Sequence, residues 1–157
     1  MTKSLQGIAF FLFAITTQLA SAEAPRINSA AWLKNGCESL KHMAESEKWP
    51  EGNEAAAAGM QVQVWLNGYI VGVNSMCLSK DPSPDITYPP DKWTDGRIIA
   101  PMILEFLKQN PKIPLTAKAR SVVTAWYYSA HPKATAEHKR LSKAIVDDMI
   151  NNPFGDN

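Results

Sequence analysis

Apolar residues recur at three- and four-residue steps in five stretches of this chain, and this repeat constrains its fold more than any other feature. Such spacing puts one apolar stripe on a helix, whereas a half-buried strand alternates apolar and polar residues. Convincing alternation is found nowhere in the sequence. The predicted helices cover about residues 29–46, 54–76, 95–109, 116–130 and 135–150. The predicted fold class is all-α, a compact bundle of four to five helices.

Capping and turn residues mark the ends of these helices. Asn28 or Ser29 is suited to cap the first helix, and Thr94 or Asp95 the third. The Asn-Pro pair at 110–111 ends the third helix, and the His-Pro pair at 131–132 ends the fourth. Pro101 either lies near the first turn of a later-starting third helix or kinks that helix.

The second predicted helix is the most buried-looking part of the chain. Gly68 and Gly72 stand four residues apart beside Tyr69, which predicts a face that another helix approaches closely. In a membrane the same spacing would indicate a dimer seam. Gln61 and Gln63 argue against a span, so close packing within a soluble bundle is the better interpretation.

The first 22 residues have the pattern of a secretory signal peptide. Lys3 precedes the apolar run at residues 8–15, and small residues at 20–22 predict cleavage before Glu23. The mature chain, residues 23–157, would then be a single periplasmic domain. The alternative is an uncleaved anchor or a buried helix.

The balance of charges excludes several classes of partner. The chain has 16 basic and 15 acidic residues, and removal of the first 22 residues takes away only Lys3. A neutral, mixed surface argues against nucleic acid and against a polybasic membrane patch. We therefore expect neither nucleic acid nor, after removal of the signal peptide, a membrane as partner.

The two cysteines, Cys37 and Cys77, predict one disulfide in an oxidising compartment. Such a crosslink would contribute about 4 kcal/mol in the chain-entropy model. It would close the open end of an antiparallel hairpin formed by the first two helices. The alternatives are free thiols or an intermolecular bridge.

Residues suited to catalysis are few. His42, His131 and His138 are scattered over three segments without metal or triad spacing, so we interpret them as surface residues. A glycine-rich phosphate loop is lacking. The sequence predicts a protein that is not an enzyme and holds no metal or cofactor.

Aromatic residues and a proline-rich segment are the remaining features. Neighbours on a helix point about 100° apart, so one residue of the run at 126–128 faces solvent or a partner, and Tyr128 is the predicted one. Trp49 and Trp93 lie in predicted loops, where they either anchor protein contacts or pack under the loop. Residues 78–93 hold four prolines and form either a functional loop or a plain connector.

Several stretches together resemble the Rap/Tai family of type VI secretion immunity proteins. They are residues 33–37 (LKNGC), residues 68–73 (GYIVGV) ahead of Cys77, residues 103–107 (ILEFL) leading to NP, and residues 119–130 closing with HP. Their order agrees over about residues 30–132. Leu66 and Lys133 stand where family members often carry two further cysteines, and the helix at 135–150 extends beyond the usual domain.

The resemblance implies a periplasmic homodimer that binds a peptidoglycan-amidase effector and excludes its substrate. On this basis the segment at 78–93 is the predicted contact, with Asp85, Tyr88, Asp91 and Trp93 as its contact residues. A small periplasmic acid-stress chaperone is the alternative function. An accessory binding subunit of an envelope enzyme is a third.

Overall fold

The structure is a computed structural model that describes residues 25–70 and 91–152. These residues form five α-helices and one short 3-10 turn, with no strand among them, which confirms the all-α fold class. The elements are α1 (Ala30–Ser46), α2 (Asn53–Gly68), the 3-10 turn (Asp91–Thr94), α3 (Gly96–Gln109), α4 (Ala119–Ala130) and α5 (Ala136–Asn151).

Helices α1 and α3 each begin where a capping side chain satisfies one of the first amides. Ser29 Oγ accepts from the Trp32 amide at 3.2 Å, and Asp95 Oδ1 accepts from the Arg97 amide at 2.9 Å. Both caps were among those predicted. Pro101 lies inside α3, which starts at Gly96, so the alternative of a later-starting helix is wrong. Of the second predicted helix, residues 71–76 lie outside the described residues.

Helix α1 lies between α2 and α3, while α4 and α5 pack mainly against each other. Leu33, Cys37 and Leu40 follow the apolar repeat that predicts the first helix, and they are fully buried. Ala44, the next residue of the same repeat, is exposed. The same core takes in Val62 and Leu66 of α2, Ile99 and Ile103 of α3, and Val122, Val123 and Trp126 of α4.

Two glycines allow α1 and α2 to approach each other closely. A Cβ on Gly36 would lie 2.5 Å from Val62 Cβ and 2.8 Å from the Ala58 carbonyl oxygen. A Cβ on Gly59 would lie 2.9 Å from Ser39 Cβ. The close approach predicted at Gly68 is not observed: this glycine is exposed, and no described atom lies within 4 Å of a Cβ built on it. Gly72 lies outside the described residues.

Tyr69, which follows α2, links that helix to α4. Its ring stacks on Trp65 with the centroids 5.0 Å apart, and its hydroxyl lies 2.7 Å from Thr124 Oγ1. The Tyr69 hydroxyl also donates to the Arg120 carbonyl at 3.3 Å. The side chain therefore makes the inter-helix contact predicted for it, although the neighbouring glycine does not.

A short backbone pairing joins the segment before α1 to the segment before α4. The Ala30 amide donates to the Ala117 carbonyl at 2.7 Å, and the Ala119 amide donates to the Asn28 carbonyl at 2.7 Å. Residues 115–116 form a turn, in which the Ala117 amide donates to the Pro114 carbonyl at 2.9 Å, and Lys118 pairs with Ser29. For this reason α4 starts at Ala119 and not at the predicted Thr116. The pairing also holds Leu115 beside the start of α1, since the Ala31 amide donates to its carbonyl at 2.9 Å.

The predicted disulfide is not supported by the structure. Cys37 is a free thiol that is fully buried in the core, and its predicted partner Cys77 lies outside the described residues. Burial raises the pKa of the Cys37 thiol, and the adjacent Glu38 carboxylate raises it further. In this form Cys37 is a packing residue with no nucleophilic character.

Candidate protein-binding site

The predicted contact segment is only partly described. Asp85 and Tyr88 lie outside the described residues, so their contact role stays a prediction. The 3-10 turn begins at Asp91, whose side chain is also not among those that the structure describes. Trp93 is well placed in the turn and is only 7 % exposed, which puts its ring inside the molecule.

Trp93 fastens the 3-10 turn to the C-terminal half of α4. Its ring stacks on Trp126 with a centroid distance of 4.8 Å, and it meets Tyr127 edge-on at 5.6 Å and His131 edge-on at 5.7 Å. This geometry favours the packing alternative for Trp93 over direct contact with a partner. Trp49 also packs, partly buried, against Gly59.

An open groove of about 690 Å3 lies between α1, α3 and the segment that follows α3. We call it the α1–α3 groove. Both helices supply its walls, and the pairing of residues 28–31 with 115–119 supplies one end. Its lining comprises Ala30, Lys34, Glu38, Lys41, His42, Glu45, Leu104, Leu107, Lys108, Asn110, Pro111, Ile113 and Leu115.

The apolar part of the groove comes from α3 and the segment beyond it. Leu104 and Leu107 are half-buried, Ile113 is buried, and Leu115 is 59 % exposed. Leu115 is one of the few large apolar side chains that the described residues expose to this extent. Its backbone is held by α1, so the side chain is presented from a fixed position.

Charged pairs lie on both helices that form the groove. On α1, Lys34 Nζ lies 3.7 Å from Glu38 Oε1, and Lys41 Nζ lies 3.2 Å from Glu45 Oε1. On α3, Lys108 pairs with Glu105 at 3.7 Å. The pairs are exposed and nearly balanced in charge, so each contributes little to stability. An apolar floor beside such a polar rim has the composition of a protein–protein contact surface.

Sequence reasoning missed this groove. The apolar repeat of the third predicted helix includes Leu107 as a core residue, but Leu104 and Leu115 were assigned no contact role. The available signal was Leu104, which lies off that apolar face, followed by a further leucine after the Asn-Pro turn. Only the backbone pairing before α4 brings Leu115 alongside α1.

Two of the three histidines differ from the sequence prediction. His42 lies on the exposed wall of the groove, as predicted. His131 and His138 were also predicted on the surface, but they are only 5 % and 3 % exposed. Both imidazoles accept backbone hydrogen bonds and contact aromatic rings, which explains how polar side chains are accommodated there. Tyr128, predicted to face outward, is half-buried against His138.

The described residues are 25–70 and 91–152. Within these ranges, no group of three or more His, Cys, Asp or Glu residues is arranged to hold a metal ion. None of the helices described is both long and apolar enough to cross a membrane. The α1–α3 groove is thus the site that the described residues offer most clearly.

Comparison with known proteins finds no matching family model, no matching curated protein and no matching solved structure.

Proposed function

We propose that this chain is an exported binding protein of the Rap/Tai kind that inhibits a peptidoglycan amidase in the periplasm. The proposal starts from the sequence resemblance over about residues 30–132. The all-helical fold is consistent with it. The contact of Tyr69 with α4 is also consistent with the proposal, because it gives the glycine-tyrosine element a role in helix packing.

The single structural observation that supports a binding role is the α1–α3 groove. A concave surface of this size, with leucines on its floor and balanced charges on its rim, suits a protruding element of a protein partner. Leu115 would be the natural anchor, because it is apolar, exposed and rigidly attached. A partner element seated there would gain affinity mainly from apolar burial.

Export, the disulfide and the homodimer are further parts of this proposal. In the periplasm, Cys37 and Cys77 would be the only intramolecular pair available. Thiol alkylation followed by mass spectrometry of the protein purified from the periplasm tests export and the disulfide. The expected result is a mature protein that begins at Glu23 and has no alkylated thiol. Quantitative alkylation of two thiols under denaturing conditions would reject the disulfide.

A small acid-stress chaperone is the second candidate, and the buried histidines favour it specifically. Such a protein would expose apolar surface when acidified. His131 and His138 lie against the aromatic side chains of the core. Protonation of these imidazoles would disturb that packing.

The first experiment is an affinity purification of the tagged mature protein from periplasmic extract of cells with active interbacterial secretion. One stoichiometric partner that loses its amidase activity in the complex would support the immunity role. Many substoichiometric partners that bind only after acid exposure would support the chaperone instead.

The groove is tested with two matched variants of the same protein. Leu115→Arg places a charge in the groove, and Val64→Arg places one on the outer face of α2, where Val64 is 74 % exposed. Neither residue is in the core, so both variants should fold. We expect Leu115→Arg to weaken partner binding by at least about tenfold, and Val64→Arg to leave it unchanged. The reverse pattern would move the contact surface to α2.

A further inference from the structure

Four charged residues form a single stripe along the exposed face of α1. They are Lys34, Glu38, Lys41 and Glu45, which follow one another at steps of four, three and four residues. Because neighbours on a helix point about 100° apart, this spacing places all four within about 60° of one another around α1. All four are exposed, and all four line the α1–α3 groove.

The signs of these charges reverse about the middle of the stripe. Lys34 and Glu45 lie equally far from the point between residues 39 and 40, and so do Glu38 and Lys41. A second copy of α1 that lies antiparallel to the first, across a two-fold axis through this point, places each lysine opposite a glutamate. The stripe is therefore complementary in charge to itself, as a symmetric contact between two copies requires.

Pairing within the helix does not account for the order of these charges. Lys34 pairs with Glu38, and Lys41 with Glu45, at four-residue steps. Such pairs stabilise a helix better when the glutamate comes first, because the helix dipole favours acidic residues near the start and basic residues near the end. Helix α1 has no acidic residue in its first turn and no basic residue in its last turn. An antiparallel second copy would bring a glutamate to the start of α1 and a lysine to its end.

We propose that the α1–α3 groove is the contact surface of a homodimer in which the two α1 helices lie antiparallel. The leucines of the groove supply the apolar contact, and Leu115 is the most exposed of them. The backbone pairing fixes Leu115 beside the start of α1, so the antiparallel arrangement directs it toward the end of the partner's α1. The charges set the register and direction of the two helices and contribute little to affinity, because exposed ion pairs are weak.

The dimensions of the groove suit a helix-to-helix contact. Helix α1 has 17 residues and is therefore about 25 Å long, and the groove is lined by α1 residues from Ala30 to Glu45. The second copy can thus meet almost the full length of α1. Because few large apolar side chains are exposed there, we expect a weak and reversible association.

This inference rests on the homodimer of the proposed function and adds the surface that forms it. The same groove is the proposed site for the protein partner, so a second copy and a partner compete for it. Binding of the amidase would then separate the two copies. Because self-association is measured without a partner, a failure of this inference and a failure of the immunity role give different results.

The test is sedimentation equilibrium of the mature protein at concentrations up to about 0.2 mM. Lys41→Glu places two glutamates opposite each other at two symmetric positions, so the dissociation constant of the dimer should rise by at least about tenfold. Lys143→Glu on α5 is the matched control, because it breaks a pair with Asp147 at the same four-residue spacing and changes the net charge equally. This control should leave the dissociation constant unchanged. A wild-type protein that stays monomeric at these concentrations, or a dimer that Lys41→Glu leaves intact, would overturn the proposal.

An exchange of charges separates contacts across the dimer from pairing within α1. The double variant Glu38→Lys, Lys41→Glu loses both four-residue pairs of the helix but keeps opposite charges across the two-fold axis. Its dissociation constant should return to within about threefold of the wild-type value. An equal mixture of the two single variants should form a mixed dimer more readily than either forms a dimer alone. All substituted side chains are exposed, so the variants should keep the fold, and a double variant as weak as Lys41→Glu would rule out this register.

Discussion

The contact between α1 and α2 and the contact between α4 and α5 are built on different principles. At the first, Gly36 lets α1 lie directly against Val62 and the Ala58 carbonyl. At the second, Ser142 Oγ of α5 donates to the Ala125 carbonyl of α4 at 2.7 Å, and His138 stacks on Tyr128 at 5.6 Å. The α1–α2 contact depends on the lack of a side chain at Gly36, whereas the α4–α5 contact depends on polar side chains whose hydrogen bonds are satisfied.

The difference predicts how each interface fails. A close-packed contact responds to added volume, because neighbouring atoms have no space to move into. A polar contact responds to lost hydrogen bonds, because an unpaired buried group is costly. The α1–α2 contact should therefore be sensitive to size, and the α4–α5 contact to polarity.

The largest expected effect is at Gly36. Gly36→Ala should lower the free energy of unfolding by about 3 kcal/mol, because the new Cβ meets both a side chain and a backbone carbonyl. Urea denaturation measures the change. Gly68→Ala is the control: its Cβ meets no described atom, so the protein should gain about 0.5 kcal/mol from helix propensity. Equal stability of the two variants would contradict the close packing.

Removal of the Ser142 hydroxyl should have a smaller effect. Ser142 is 4 % exposed, and Ser142→Ala loses its bond to Ala125 while adding no volume. We expect a loss of about 1–2 kcal/mol in the free energy of unfolding by urea denaturation. Ser46→Ala, at an exposed hydroxyl on α1, should change it by less than about 0.5 kcal/mol. A loss no larger than that of the control would show that polarity does not hold α4 to α5.

Asp95, at the start of α3, should make the free energy of unfolding depend on pH. The hydrogen bond from the Arg97 side chain is the main reason that the pKa of the Asp95 carboxyl is lowered. A lowered pKa gives stability that is present above the unfolded value, about 3.9, and is lost as the pH falls through the folded value. Asp95→Asn keeps a cap and removes this charge.

The expected loss for Asp95→Asn at neutral pH is at most about 1 kcal/mol, because solvent reaches both partners of the ion pair: the Asp95 side chain is 29 % exposed and the Arg97 side chain 49 %. Chemical denaturation as a function of pH should show that the difference from wild type shrinks once the pH falls below the unfolded value of about 3.9. A difference that disappears already at about pH 6 would contradict this role of Asp95.

The smallest effect is expected at the charged wall of the groove. Lys41 and Glu45 pair at 3.2 Å on the exposed face of α1. Lys41→Gln should change the free energy of unfolding by about 0.3 kcal/mol, and added salt should reduce the difference further. An effect above about 1 kcal/mol would mean that this pair takes part in packing.

Sequence reasoning predicted helices better than it predicted their contacts. The helix-forming stretches and the caps at Ser29 and Asp95 depend on local spacing and local hydrogen bonds, which the sequence displays directly. The start of α4 was placed at Thr116, three residues early, because residues 115–118 pair with a segment almost ninety positions before them. Local patterns carry no trace of such a pairing.

The site was predicted less well for the same reason. The prediction favoured the proline-rich segment, whereas the groove is formed by α1, α3 and Leu115 together. Trp93 lies in a stretch that reads as a loop, yet its ring fits between Trp126, Tyr127 and His131. Whether an aromatic residue is exposed depends on which surfaces meet it.

The sequence alone determined the all-helical class and most of the apolar stripes, because both follow from the 3.6-residue period of a single helix. The tertiary structure decided which glycines lie at contacts between the described helices: Gly36 and Gly59 do, whereas Gly68 meets none of the described residues. It also decided that His131 and His138 are buried while His42 is exposed. Such choices depend on neighbours distant in the chain, since burial and hydrogen-bond satisfaction are properties of the packed assembly of helices.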